Sequence, residues 1–220
     1  MPQYPIAPQR SALILFDMLE HYLVPSDPER AQRIAASRVV ENAARVLAAA
    51  RAAGMAVFYA NADHRADGRD WIATIVDTDT DLQPWPDGPR PAPLPPVARH
   101  PDRARVVAAL APRPEDIVVP KHRWSAFAGT HLDLLLRARG IDTLLLSGVS
   151  TDVGIASTAY AARDLGYHLI ILRDCCYTER AGAQEFFMTR VFPRLARVLD
   201  ADAAIALIGA PRSGERAAGG

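Results

Sequence analysis

The sequence predicts an α/β protein with three layers, in which a six-stranded, mostly parallel sheet carries helices on both faces. Three observations predict it. Short, wholly apolar runs recur along the chain, as expected of strands buried on both faces. Stretches with apolar residues at helical spacing separate them. Gly54 and Gly166 stand where two of those helices should stop. Alternation of this kind favours parallel strands joined by crossover helices.

Taken in order, Ser11–Phe16 (SALILF) reads as the first strand. Residues 28–53, rich in Ala, Arg and Val, read as one helix closed by Gly54. Residues 55–60 (MAVFYA) form the second strand, 117–120 (IVVP) end the third, and 143–148 (TLLLSG) form the fourth. A helix over 153–165 leads to the fifth strand, 168–172 (HLIIL), and 195–198 supply a short sixth. Further helices are expected over 131–139, 183–192 and 202–207. One stretch breaks this rhythm: residues 85–101 carry seven prolines and can be neither helix nor central strand. An ordered surface excursion, as a lid or subunit contact, is the expectation there. The chain thus reads as a single domain over residues 1–210, with a disordered tail over 211–220.

Composition narrows the function. Half of the residues are hydrophobic, and 25 basic residues balance 25 acidic ones. That balance provides no electrostatic footprint for nucleic acid or for an anionic membrane. No apolar run approaches the roughly 20 residues of a membrane span, and the first ten residues lack a signal-peptide core. A cytoplasmic protein with a small-molecule substrate is expected. The cysteines, Cys175 and Cys176, are adjacent, which argues against a disulfide scaffold and leaves them as buried thiols at a strand end.

Ligands of an open parallel sheet bind beyond the carboxyl ends of its strands. Asp17 follows the first strand, Lys121 follows the third, and Ser150-Thr-Asp-Val-Gly154 follows the fourth. A carboxylate, an ammonium and a helix N-terminus are thereby brought to one sheet edge, where they can bind a carboxylate, polarise a carbonyl and move protons. Asn61 ends the second strand and is a candidate substrate donor; Arg123, Trp124 and Phe127, just past Lys121, are candidates for pocket walls, as are Trp71 and Trp85. Asn61-Ala-Asp63-His64 offers no clear third metal ligand, and His100, His122, His131 and His168 show no paired spacing. No metal or other cofactor is expected. A dinucleotide-binding reading fails, because Asp17-Met-Leu-Glu-His21 is not a Gly-rich turn.

These residues, taken together, resemble the isochorismatase-like hydrolases, the cysteine-hydrolase superfamily. The resemblance is carried by Asp17 after an apolar strand, by Lys121 before Arg123-Trp-Ser-Ala-Phe127, and by Gly148-Val-Ser-Thr-Asp-Val153 before a helix. Arg163-Asp-Leu-Gly-Tyr167 and Asp174 also fit, and the likeness runs from about residue 10 to residue 207. It implies a Rossmann-like, six-stranded parallel sheet, homodimers or homotetramers, and a non-proline cis peptide at Val149–Ser150. The backbone turn through Val149, Ser150, Thr151 and Gly154 would bind an oxyanion. Most such proteins cleave C–N bonds with an Asp, a Lys and a nucleophilic Cys, and the position of that Cys corresponds to Gly154.

Three readings follow. Asp17 could act as an acid toward an enol-pyruvyl ether, with Lys121 anchoring a carboxylate and the Gly154 turn leaving room for substrate. True isochorismatases resemble this chain in having Asp, Lys and Gly there, but have an aromatic residue where this chain has Ser150. A general acid beside an ammonium requires burial to outweigh the ammonium's pull. Alternatively, an amidohydrolase could use water or a hydroxyl of Ser150, Thr151 or Thr158. The third reading is a ligand-binding protein that has lost catalysis.

Overall fold

The computed structural model describes residues 4–67, 69–70 and 101–210. Along the chain come β1 (Ser11–Phe16), α1 (Glu20–Leu23), α2 (Pro28–Ser37), α3 (Val39–Ala52), β2 (Ala56–Ala62) and β3 (Ile117–Lys121). Then follow α4 (Leu132–Ala138), β4 (Thr143–Val149), α5 (Ala156–Asp164), β5 (His168–Tyr177), α6 (Ala183–Phe186), β6 (Arg197–Leu199) and α7 (Ala201–Leu207). The strands form one six-stranded sheet in the order β3-β2-β1-β4-β5-β6. Every strand pairing is parallel. Strand order reverses between β1 and β4, which makes that crevice the expected ligand site.

The central strands are buried on both sides, and all six residues of β1 are buried. Because side chains alternate along a strand, β1 feeds two cores. Leu13 and Leu15 pack with Val46, Leu47 and Tyr59 on the α3 and α7 face. Ile14 and Phe16 pack with Phe58, Leu132, Leu136 and Ala159 on the α4 and α5 face. Among the described residues no helix is long and apolar enough to cross a membrane.

Several expectations need correction. The helix expected over 28–53 is two helices, broken at Arg38, which adopts φ 56°. Ser37 explains the break locally: its hydroxyl donates to the Ile34 carbonyl at 2.6 Å and accepts from the Val39 amide at 3.3 Å. The new direction lets Val39, Ala43, Val46, Leu47 and Ala50 face the core. The fifth strand runs on to Tyr177, because its register with β4 shifts between Leu146 and Gly148, and Gly148 then pairs with Cys176. The helix expected over 183–192 stops at Phe186, continuing as a wider turn (Phe187–Val191) and a 3₁₀ turn (Phe192–Arg194) around Pro193, which has no amide donor. The helix expected from 153 begins regularly only at Ala156, after a π-type turn over Thr151–Ile155. Trp71, Trp85, the proline-rich stretch up to residue 100 and the tail 211–220 lie outside the described residues.

Candidate active site

Asp17 is the first residue beyond β1 and has φ 49°, a left-handed conformation uncommon outside glycine, in which Asp and Asn are the usual exceptions. The turn is held by its own backbone: the Asp17 amide donates to the Ala60 carbonyl at 3.0 Å. The Asp17 carboxylate then accepts from the Ala62 amide at 2.6 Å and from Lys121 Nζ at 2.7 Å. Lys121 lies two strands away, at the end of β3, in register with Ala62 of β2. Both partners are nearly dry, with side-chain exposures of 5% for Lys121 and 8% for Asp17. Neither is the solvated turn residue or surface lysine that an isolated Asp or Lys would suggest.

Burial raises the Asp17 carboxyl above its ordinary value of 3.8, outweighing the opposing pull of Lys121 and of the Ala62 amide. Desolvation therefore acts in the direction that the acid reading requires. A carboxyl held in this way can retain a proton closer to neutrality and pass it on.

The Val149–Ser150 peptide is cis, as the family resemblance implied. Val149 is buried at the end of β4, and Ser150, Thr151 and Gly154 follow it round the turn. The Ser150 carbonyl accepts from the Val153 and Ile155 amides at 3.4 and 3.1 Å. Thr151 donates to Gln184 Oε1 at 2.6 Å, and Gln184 Nε2 donates onward to the carbonyls of Arg173 and Cys176, each at 3.0 Å. Thr178 donates to Asp152 at 2.6 Å. The turn is thus braced by the segment that follows β5, and sequence reasoning missed Gln184, which only the returning chain brings there. Thr158 accepts from the Ala126 amide at 3.0 Å. Thr151 and Thr158 are consequently framework groups. Ser150 starts the turn without a side-chain capping bond.

The position that a side chain at residue 154 would take is occupied. A Cβ built on Gly154 would overlap the Phe16 ring, lying 2.6 Å from Cζ and 3.1 Å from Cδ1. Phe16 is 1% exposed, and Lys121 Nζ stands 4.2 Å from its ring centroid, within cation–π range. The space beside the turn is filled with aromatic carbon.

The cysteines are bystanders by position. Adjacent strand residues face opposite sides, and accordingly Cys175 lies in one core and Cys176 in the other. Burial pushes the Cys176 thiol up to about 12, and burial with Asp174 nearby pushes Cys175 up further.

The remaining candidates divide. Asn61, in β2 opposite Pro120, has a buried Oδ1 with no hydrogen-bond partner among the described residues. Arg123 donates to the backbone carbonyls of Asp70 and His122 at 3.1 and 2.6 Å, bracing a loop rather than lining the Asp17–Lys121 pair. Phe127 packs on Tyr167, ring centroids 5.7 Å apart, in the α4 and α5 core. Trp124 is 60% exposed. Histidines that are unpaired in sequence nevertheless approach one another in the fold. His64, Asp70 and His122 converge so that one donor atom from each lies within 4.8 Å of the others. Asp70 lies 3.6 Å from His64 Nδ1 and 3.4 Å from His122 Nδ1. A tetrahedral ion with ligands at about 2.0–2.1 Å needs them about 3.3 Å apart, so these donors could hold one only after drawing together.

Comparison with known proteins agrees with this architecture. Residues 11–203 match the isochorismatase domain. The chain is 35% identical over 190 residues to an uncharacterized isochorismatase family protein, YecD, of Escherichia coli O157:H7, covering 86% of this chain and 90% of that one. It is 32% identical to a maleamate amidohydrolase of Pseudomonas putida over 173 residues, covering 76% and 72% of the two chains. Among solved structures, an isochorismatase family protein from Burkholderia thailandensis superposes with a TM-score of 0.73 at 31% identity, over 94% of this chain and all of that one. The chain belongs to the isochorismatase family.

Proposed function

We propose that this protein hydrolyses a small carboxylate- or amide-containing metabolite without a cysteine nucleophile, using Asp17 to carry the proton and water as the attacking oxygen. The observation that carries this reading is the buried Asp17–Lys121 pair, its carboxyl raised by burial, beside a turn whose side-chain space is taken by Phe16. The thiols are buried at the wrong place, and two of the nearby hydroxyls serve the framework. Water is the nucleophile in this reading, with the Ser150 hydroxyl, which makes no capping bond, as the alternative.

In the vinyl-ether form of the reaction, Asp17 donates its proton to the terminal enol-pyruvyl carbon. Water adds to the resulting cation and returns a proton to the Asp17 carboxylate. The hemiketal then collapses to an alcohol and a 2-oxo acid. Lys121 stabilises the carboxylate form of Asp17 and the negative charge of substrate.

A second reading, C–N hydrolysis by water, is favoured by Ser150 and by the amidohydrolase among the relatives. There Asp17 would take a proton from water, so its deprotonated form would be the active one. A turnover screen with enol-pyruvyl ethers, small amides and ureido acids separates the two, followed by a pH–rate profile on the best substrate. An alkaline limb lost in Asp17→Ala supports proton donation; an acidic limb supports proton removal. Ligand binding with no turnover of any class would overturn both and leave a binding protein.

A further inference from the structure

The ring of Phe16 lies against Lys121, the partner of Asp17, and against residue 154. Lys121 Nζ sits on the ring at 4.2 Å from its centroid, and a Cβ on Gly154 would lie 2.6 Å from its Cζ. Gly148, with φ 146°, makes room for the backbone of β1 and not for the ring: a Cβ there would lie 2.8 Å from both the carbonyl carbon and the Cβ of Phe16, atoms that any residue but glycine would place there. Gly154, in the turn that follows β4, therefore leaves its Cβ position to the aromatic ring at the end of β1. The ring belongs to the buried core shared with Phe58, Ala126 and Ile155. A close-packed ring of this kind has little freedom to swing aside.

We propose that Phe16 selects the chemistry of this site. Its ring takes the volume beside Lys121 that a nucleophilic side chain on the 154 turn would need, so a change at residue 154 alone cannot make the site covalent. Substrate reaches the Asp17–Lys121 pair through its small exposed surface, and no intermediate attached to the turn can form. This inference rests on the reading that residue 154 marks the nucleophile's place, and it deepens that reading by naming the residue that excludes one. Phe16 is a positioning residue: it acts through Lys121 and through the space it denies.

The test is a set of four proteins: wild type, Phe16→Val, Gly154→Cys and the double variant. Two quantities are measured, the thermal midpoint and the rate of alkylation of position 154 by iodoacetamide as a function of pH. In alkylation the thiolate sulfur displaces iodide and the thiol proton passes to buffer. Peptide masses score position 154 apart from Cys175 and Cys176. Each single substitution should lower the midpoint by about 5 °C or more, and the double should lose clearly less than the two losses added. The thiol at position 154 should alkylate at least about tenfold faster in the double variant than in Gly154→Cys, with a rate–pH midpoint below that of an ordinary thiol because of Lys121. Equal alkylation in the two backgrounds, or additive losses of midpoint, would overturn the proposal. Should Gly154→Cys fail to fold, Gly154→Ala with and without Phe16→Val repeats the thermal comparison, and lack of recovery in the double again overturns it. None of these readouts uses a substrate, so they remain decisive if the hydrolytic reading fails, and the substrate screen remains decisive if they fail.

Discussion

Beside Gly154 the molecule is filled with aromatic carbon, whereas polar atoms gather at and beyond the ends of β2 and β3. In the first region, the Phe16 ring takes the place of a side chain at Gly154, and Lys121 rests on its face. In the second, Asn61 Oδ1 and Asp70 Oδ1 are buried without a hydrogen-bond partner among the described residues, and His64 and His122 stand 5.5 Å apart, centroid to centroid. Filled apolar volume stabilises a fold and excludes ligands. A buried acceptor without a donor costs the isolated fold and rewards a ligand that supplies one. The contrast is between packing that stabilises the fold and polar groups open to a ligand, and substitutions should separate the two.

The largest effects should come from the Asp17–Lys121 pair. Asp17→Asn should lower turnover by about 10²–10⁴-fold, as measured by steady-state kinetics on whichever substrate the screen returns. Lys121→Met should destabilise by about 3–5 kcal/mol in urea unfolding, because it leaves Asp17 buried without its cation. On the filled side, Phe16→Ala should cost about 3–5 kcal/mol and Gly154→Ala about 1–3 kcal/mol by the same measurement. If Gly154→Ala were neutral, the filled side would be looser than described. On the polar side, Asn61→Ala should change stability by no more than about 1 kcal/mol, since it removes an unpaired acceptor, yet weaken substrate binding measurably in KM. A variant that lost stability but kept KM would reverse the comparison.

The smallest effect is a pH slope. Burial raises Asp17 above 3.8 in the folded chain, so the folded state holds that proton more tightly than the unfolded one. The contribution to stability is fully present below the unfolded value and is lost as pH rises through the folded one. Wild type should therefore lose stability relative to Asp17→Asn as pH rises through that window. The slope of the difference in thermal midpoints checks it, and an opposite slope would mean that Lys121 outweighs burial.

Much of this was legible from local pattern. The apolar run of β1, the residues that follow β1, β3 and β4, and the parallel order all follow from rules that act over a few residues. Helix 28–53 was misread because one serine hydroxyl competes with the helix at Ser37, a local effect that apolar periodicity does not register. The His64–Asp70–His122 group was invisible because its members come from different strand ends. Phe16 was read as core, which it is; its second role depends on Gly154, far along the chain, and a large aromatic just before Asp17 was the one signal that could have raised the question.

By itself, then, the sequence determined which groups gather at the sheet edge, because a parallel sheet sends the carboxyl ends of its strands to one side. It also determined that residue 154 bears no side chain. Only the tertiary structure decided what that means. The packing of β1 against β4 makes the glycine a seat for the Phe16 ring, and burial, not the neighbouring ammonium, decides which way the Asp17 proton leans.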